Sequence, residues 1–156
     1  MAIYFYKEFG PLGYLANYSN YGFYDKNIYY KTVEHYYQSQ KFDDKVLKNK
    51  VINAKTPKEA SIIGRDRNNK LKNNWKNIKQ DVMLKGVLLK FRQNIDILVK
   101  LLNTGDEKII ENTVDEYYWG CGKNKTGENN FGKILVKARN ILKKEIKEKI
   151  KYPYLT

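Results

Sequence analysis

A change of pattern at Thr32 constrains this chain more than any other feature. Before it, the aromatic and β-branched runs IYFY, YGFYD and KNIYYK are broken by Gly10, Pro11, Gly13 and DKN. Such short runs between turn formers predict short strands, with Asp25-Lys26-Asn27 as a hairpin tip. After it, apolar residues recur at the three- and four-residue spacings of helices. Thr32 predicts an N-cap for a helix from Val33, with Glu34 in the first turn, where negative charge is favoured. A second helix is predicted over about 43 to 54. TPKEASIIGRD is a strong local signal: Thr56 as N-cap, Pro57 at N1, Glu59 closing a capping box, and Gly64 as the stop.

A long helix is predicted from about Asn74 to Gln93, carrying Trp75, Ile78, Val82, Met83, Leu89 and Phe91. Another is predicted from Ile95 to Leu102, ended by Asn103-Thr104-Gly105. EKIIENT fits either a strand or a short turn of helix, and DEYYWGCGKNKTGENNFG reads as a glycine-punctuated loop. A final helix starts near Asn130, with Ile134, Leu135, Ala138, Ile141, Leu142, Ile146 and Ile150 on one side. The tail YPYLT is expected to order only by docking. The fold class is α+β: small N-terminal aromatic strands, then a mostly helical body. No repeat or linker divides residues 1–156, so a single domain is expected, its core at about 4–145 and a basic helix and tail over 146–156.

Thirty Lys and Arg against 17 Asp and Glu leave a net charge of +13, which favours polyanionic partners such as nucleic acid, nucleotides or phosphorylated metabolites. Lysine-, Asn-, Ile- and Tyr-rich composition explains that charge equally well as coding bias. Tyrosines crowd the segment between positions 14 and 37, where rings beside cations suit stacking on bases. One cysteine and one histidine exclude a disulfide framework and argue against a zinc site. No apolar run approaches a membrane span and no signal peptide is visible, so a cytoplasmic protein without membrane attachment is expected.

On a helix from Val33, Glu34, Gln38 and Lys41 share one face. A carboxylate, an amide and an amine so aligned can hold a polar ligand and exchange protons with it, or they can be an ordinary solvated face. His35 points elsewhere and reads as a structural hydrogen-bonder. In YYWGCG, Gly120 and Gly122 flank Cys121 and let a backbone approach a ligand with its N–H groups turned to it. Trp119 either stacks on a flat base or sugar, or plugs the core. Cys121 has His35 as its only histidine for a catalytic pair, from an unrelated segment, which disfavours a catalytic thiol. GKNKTG departs from the phosphate-loop pattern. Asn130-Phe131-Gly132-Lys133 opens the last helix, whose first N–H groups can bind an anion. Arg65 and Arg67 of GRDR can grip phosphate, or Arg65 can pair within the domain.

LANY, TVEHYYQSQKF, GRD, the W…VM of the long helix, YYWGCG and NNFGKIL occur in that order. Together they resemble the NADAR (YbiA-like) family over residues 4 to 145, nearly the whole chain. The family's L-S-N-F reads Leu15-Ala16-Asn17-Tyr18 here, so Ala16 removes a hydroxyl contact. The resemblance implies a compact α+β fold and hydrolysis of N-glycosidic bonds, with no cofactor and no metal. Two substrate classes are associated with the family: ribosylamino-pyrimidine phosphates of riboflavin biosynthesis, and ADP-ribose on guanine bases of nucleic acid such as DNA. The second class often accompanies a DNA-modifying ADP-ribosyltransferase toxin encoded nearby, with the family member as antitoxin. Carried over by position, Lys41 becomes the amine of a Schiff-base route and Glu34 its proton shuttle; direct hydrolysis with Glu34 alone is the simpler variant. Trp119 and Tyr37 become stacking walls. Gln38 lines the same helix face, and Asn17, Arg65 and the Gly120–Cys121–Gly122 backbone place ribose and phosphate. The alternative is a non-catalytic ADP-ribose or nucleic-acid binding module.

Overall fold

The computed structural model describes residues 1–151; the YPYLT tail lies outside the described residues. The chain forms two compact units. One is Lys7–Asn94, and the other joins Met1–Tyr6 to the segment from Ile95 onward.

The Lys7–Asn94 unit carries the aromatic hairpin, a single 3-10 turn at Gly13–Leu15 and four α-helices. Strands β2 (Phe23–Asp25) and β3 (Ile28–Tyr30) pair antiparallel, and the turn is where the DKN signal puts it. Lys26 and Asn27 both have positive φ (49° and 70°), the conformation that a two-residue hairpin loop needs to match strand twist. Helix α1 (Val33–Ser39) follows, and the Thr32 hydroxyl caps it by accepting the His35 N–H at 3.2 Å. All seven α1 residues are buried, because α2 (Lys45–Ile52), α3 (Pro57–Arg65) and α4 (Trp75–Gln93) pack around it. Phe23, Tyr30 and Tyr36 meet at ring-centroid distances of 5.0 to 5.9 Å on one side of α1. Gly86 of α4 makes the closest approach there: a Cβ on it would stand 2.8 Å from the Tyr36 ring. Phe42, Val51, Ala54 and Ala60 form a separate apolar cluster with Leu47 and Ile63.

Two helix ends differ from expectation. The α1 helix stops at Ser39, so Lys41 lies beyond it in a turn rather than on its face. The reason is local: the Lys41 N–H bonds the Gln38 carbonyl, while the Lys41 carbonyl leaves the helix to accept the Lys72 N–H at 2.8 Å. Gly64 is not the stop of α3, which runs to Arg65 with Asp66 as C-cap. The capping box is present, with Thr56 Oγ1 accepting from Glu59 N–H at 3.1 Å. The Glu59 carboxylate reaches one residue further back, to Lys55 N–H at 2.9 Å.

The second unit pairs β1 (Ala2–Phe5) in parallel with β4 (Lys108–Glu111), which settles EKIIENT as a strand. It also holds α5 (Ile95–Asn103) and α6 (Asn130–Lys151). Helix α6 lies against β4 at Gly132, where a Cβ would meet the Ile109 carbonyl oxygen at 2.1 Å. Ile109, Phe131, Leu135 and Leu142 are buried there, and Phe5 meets Phe131 edge-on at 6.0 Å.

Candidate active site

The TVEHYYQSQK helix does not present a solvated face. Glu34 is 5% exposed and Gln38 is 2% exposed. The Gln38 Nε2 donates to the Glu34 carboxylate at 2.7 Å, the one-turn contact that their four-residue spacing allows. Gln38 Oε1 is buried without a hydrogen-bond partner and stands over Gly64: a Cβ on Gly64 would lie 2.0 Å from it. That contact explains Gly64 better than helix termination does. α3 approaches α1 through a position with no side chain.

Burial pushes the Glu34 carboxyl above the usual carboxylate range. The Gln38 amide, the Arg65 and Lys41 charges and a Ser61 hydrogen bond all pull against that rise. Lys41 is only half-buried, yet burial pulls its amine down to about 8. Arg65 and Lys79 push the same way and Glu34 opposes. Its Nζ donates to the Gly64 carbonyl at 3.2 Å and lies 5.5 Å from the centre of the Tyr37 ring. Burial thus favours the neutral form of both groups, raising the carboxyl's pKa and lowering that of the amine, which at about 8 gains free base as pH rises above neutral. Two titratable groups driven in these directions by one buried setting make a usable acid–base pair.

Tyr37, 6% exposed, packs edge-on against Trp75 at 5.1 Å. Asn17 joins through its backbone, its carbonyl accepting the Glu34 N–H at 3.3 Å. Its side-chain Nδ2 reaches the Met83 sulfur at 3.4 Å, and its Oδ1 is buried with no hydrogen-bond partner. Arg65 is exposed at the C-terminal end of α3. Of the residues read from the sequence, the structure therefore brings Asn17, Glu34, Tyr37, Gln38, Lys41 and Arg65 into one constellation. His35 does not join it. Fully buried, its Nε2–H donates to the Ala54 carbonyl at 3.0 Å and its Nδ1 pairs with the Thr32 hydroxyl at 2.8 Å. Burial lowers its basicity, as suits a neutral structural imidazole.

Ser61, the Gly64 carbonyl, Lys79 and Trp75 belong to the same surroundings and carried no chemical signal in the sequence. They come from α3 and α4, and only packing brings them to α1.

Trp119, Gly120, Cys121 and Gly122 lie in the other unit, in a loop held by its own backbone. The Glu116 carboxylate accepts the Tyr118 and Trp119 N–H groups at 2.7 and 3.1 Å. The Cys121 N–H donates to the Glu111 carbonyl at 2.9 Å and the Gly122 N–H to Thr113 Oγ1 at 3.1 Å. These two N–H groups are engaged within the unit rather than turned to a ligand. Gly122 needs its missing side chain for a φ of 72°, and Gly120 because Thr113 Oγ1 would lie 2.1 Å from a Cβ. The Asn130 and Phe131 N–H groups at the start of α6 donate to the Tyr118 and Trp119 carbonyls, so they hold this loop and are not open to an anion.

Residues 4–143 match the NADAR domain, and the chain belongs to that family. It is 42% identical over 142 residues to an N-glycosidase of Nostoc punctiforme, covering 89% of this chain and 91% of that protein. It is 37% identical over 111 residues to the N-glycosidase YbiA of Escherichia coli, covering 71% of this chain and 69% of the relative. It is 35% identical over 140 residues to a riboflavin biosynthesis protein of Vibrio vulnificus, spanning 90% of this chain but 38% of that longer protein. The NMR structure of E. coli YbiA superposes with a TM-score of 0.88 at 33% identity, covering 94% of this chain and 88% of that one. The fold is the α+β fold of YbiA, and family and relatives put the chain among N-glycosidases, hydrolases acting on N-glycosyl bonds.

Proposed function

We propose that the chain hydrolyses N-ribosyl linkages, using Lys41 as a nucleophilic amine and Glu34 as the proton carrier. The observation that carries this reading is the pair itself: a buried carboxyl with a raised pKa in the surroundings of a lysine lowered to about 8. In the first step Glu34 gives a proton to the ribose ring oxygen, and the C1–O bond opens to an imine between C1 and the substrate nitrogen. The Lys41 amine adds to C1. The Glu34 carboxylate takes the proton that the added Lys41 amine gives up and passes it to the substrate nitrogen, which leaves with its electron pair, so that a protonated Lys41 imine remains. Water adds to that imine, and collapse of the adduct returns the free amine and the sugar aldehyde, which recloses. The balance is one water consumed, one free sugar and one free amine released.

Buried Gln38 fixes the Glu34 carboxylate, and Tyr37 beside the Lys41 amine forms one wall. Asn17 Oδ1 is offered to a sugar hydroxyl, and exposed Arg65 to phosphate. Two substrates compete: ADP-ribose on guanine, favoured by the +13 charge, and a ribosylamino-pyrimidine phosphate, favoured by the riboflavin biosynthesis name of the Vibrio relative. An ADP-ribosyltransferase toxin is the partner that the first would require.

The test measures release of ADP-ribose from ADP-ribosylguanosine and of ribose 5-phosphate from the pyrimidine compound, each with and without borohydride. Turnover with a reduced sugar adduct on Lys41 is expected. Turnover with no adduct, or an adduct elsewhere, would leave direct hydrolysis by Glu34 as the mechanism.

A further inference from the structure

Lys90 is 1% exposed, on α4, with an amine aimed into the protein. Its Nζ donates to the Tyr14 carbonyl at 2.5 Å, the Ala16 carbonyl at 3.1 Å and Ser19 Oγ at 2.7 Å. An ammonium has three N–H donors, and here they meet three neutral oxygens from one six-residue segment. The Phe91 ring centre lies 5.2 Å away. Burial pulls this amine down to about 7. A cation buried without a carboxylate works against stability, and an apolar side chain of that length would fill the space at less cost. Stability therefore does not account for a lysine here.

The segment that it holds accounts for it better. Asn17 lies between the two clamped points, Ala16 and Ser19. Ser19 tightens the same loop, its Oγ donating to the Ala16 carbonyl at 2.8 Å and its N–H to the same oxygen at 3.1 Å. The Asn17 carbonyl receives the Glu34 N–H, and its side-chain Oδ1 is left as a buried acceptor without a partner. We infer that Lys90 is a positioning residue for the N-glycosidase reaction: its three hydrogen bonds fix the Tyr14–Ser19 segment and so hold the Asn17 acceptor and the first turn of α1 in register for the sugar. The inference rests on the reading of Asn17 as a sugar contact. Lys90 touches neither substrate nor reacting atoms. It acts through Asn17.

The experiment compares the full-length wild type with Lys90→Met, Ser19→Ala, Asn17→Ala and the Lys90→Met/Asn17→Ala double variant. Turnover is followed on whichever of the two substrates the wild type cleaves. Amide hydrogen exchange is read at Ser19 and Glu34, whose N–H groups close the segment. Lys90→Met and Asn17→Ala should each raise KM about tenfold, the size of one lost hydrogen bond, with kcat changed less. The double variant should be no worse than the worse single one, because both remove the same contact. Exchange at Ser19 and Glu34 should quicken in Lys90→Met. Ser19→Ala, a milder cut in the same clamp, should shift both readouts in the same direction and decides the matter if Lys90→Met does not fold. A folded Lys90→Met with unchanged KM, or KM factors that multiply in the double variant, overturns the inference. So does unaltered exchange in Ser19→Ala. Failure of the wild type to cleave either substrate would instead sink the reading of the site itself, a result that the exchange data do not share.

Discussion

Replacing Gly64 by alanine should damage this protein, although the same change in an ordinary helix interior stabilises by about 1 kcal/mol. Gly64 lies inside α3, with no positive φ to excuse a glycine. A Cβ there would stand 2.0 Å from Gln38 Oε1, 2.6 Å from its Cδ and 2.8 Å from its Cβ. Turning the amide away relieves the first two contacts but not the third, which is fixed to the α1 backbone. The Gln38 amide must turn and α3 must also draw back from α1, and turning the amide removes the 2.7 Å bond that holds the Glu34 carboxylate. Overpacking of this kind costs about 1–3 kcal/mol. A buried polar group left without its partner costs about 1–3 kcal/mol more. After the helix-propensity gain is subtracted, a net loss of about 1–5 kcal/mol remains. For a chain of this size that lowers Tm by at least about 2 °C, at about 2–4 °C per kcal/mol. Turnover per folded molecule should fall about tenfold or more, since the proton carrier loses its orientation. Differential scanning calorimetry and single-turnover kinetics on the same preparation read both effects. A Gly64→Ala protein with Tm raised by about 2–4 °C and full turnover would refute the argument. It would mean that α3 carries a replaceable glycine and that Gln38 is not pinned against it.

Three further outcomes follow from the same geometry. Trapping of substrate on Lys41 needs the free amine, so its yield should rise with pH through about 8 and vanish at every pH in Lys41→Arg, read by mass spectrometry of the borohydride-treated protein. Glu34→Gln should cut turnover about 10²–10⁴-fold while keeping the fold, because the new amide oxygen can still accept from Gln38. The raised Glu34 pKa means that the native state holds this proton more tightly than the unfolded chain does. Wild-type stability from this group is therefore full below the ordinary carboxylate pKa and lost as pH rises through the raised one, so the Tm of the variant should gain on wild type over that interval. His35→Leu should lower Tm by about 2–8 °C, from about 1–2 kcal/mol of lost hydrogen bonding, and leave turnover unchanged. The Ala54 carbonyl keeps the Lys31 amine at 2.8 Å, so the main loss is the Thr32 partner.

What the sequence disclosed and what it hid divide along a physical line. The hairpin tip, the α3 capping box and the start of α6 were legible because each is settled among residues a few positions apart. The α+β class was legible for the same reason: a local period needs no partner to be read. Spacing alone put Glu34, Gln38 and Lys41 on one face, and that was correct for Glu34 and Gln38, one turn apart on α1. It failed at Lys41, which lies in a turn beyond the helix, where its amine donates to the Gly64 carbonyl. Whether that face looked to water or to protein was not legible. The answer lies in α3 and α4, and nothing in the sequence of α1 records them. Ser61 and Gly64 look like ordinary positions of an amphipathic helix, and Lys90 like one more cation among 30 basic residues. Each acquires its meaning from a residue far along the chain: Ser61 from Glu34, Gly64 from Gln38, Lys90 from the carbonyls around Asn17. The chemistry of a lysine and a glutamate is available to any surface helix. Here it is the burial supplied by remote packing that moves the two groups' proton affinities towards each other, and the approach of α3 to α1 passes through Gly64, a position with no side chain at all.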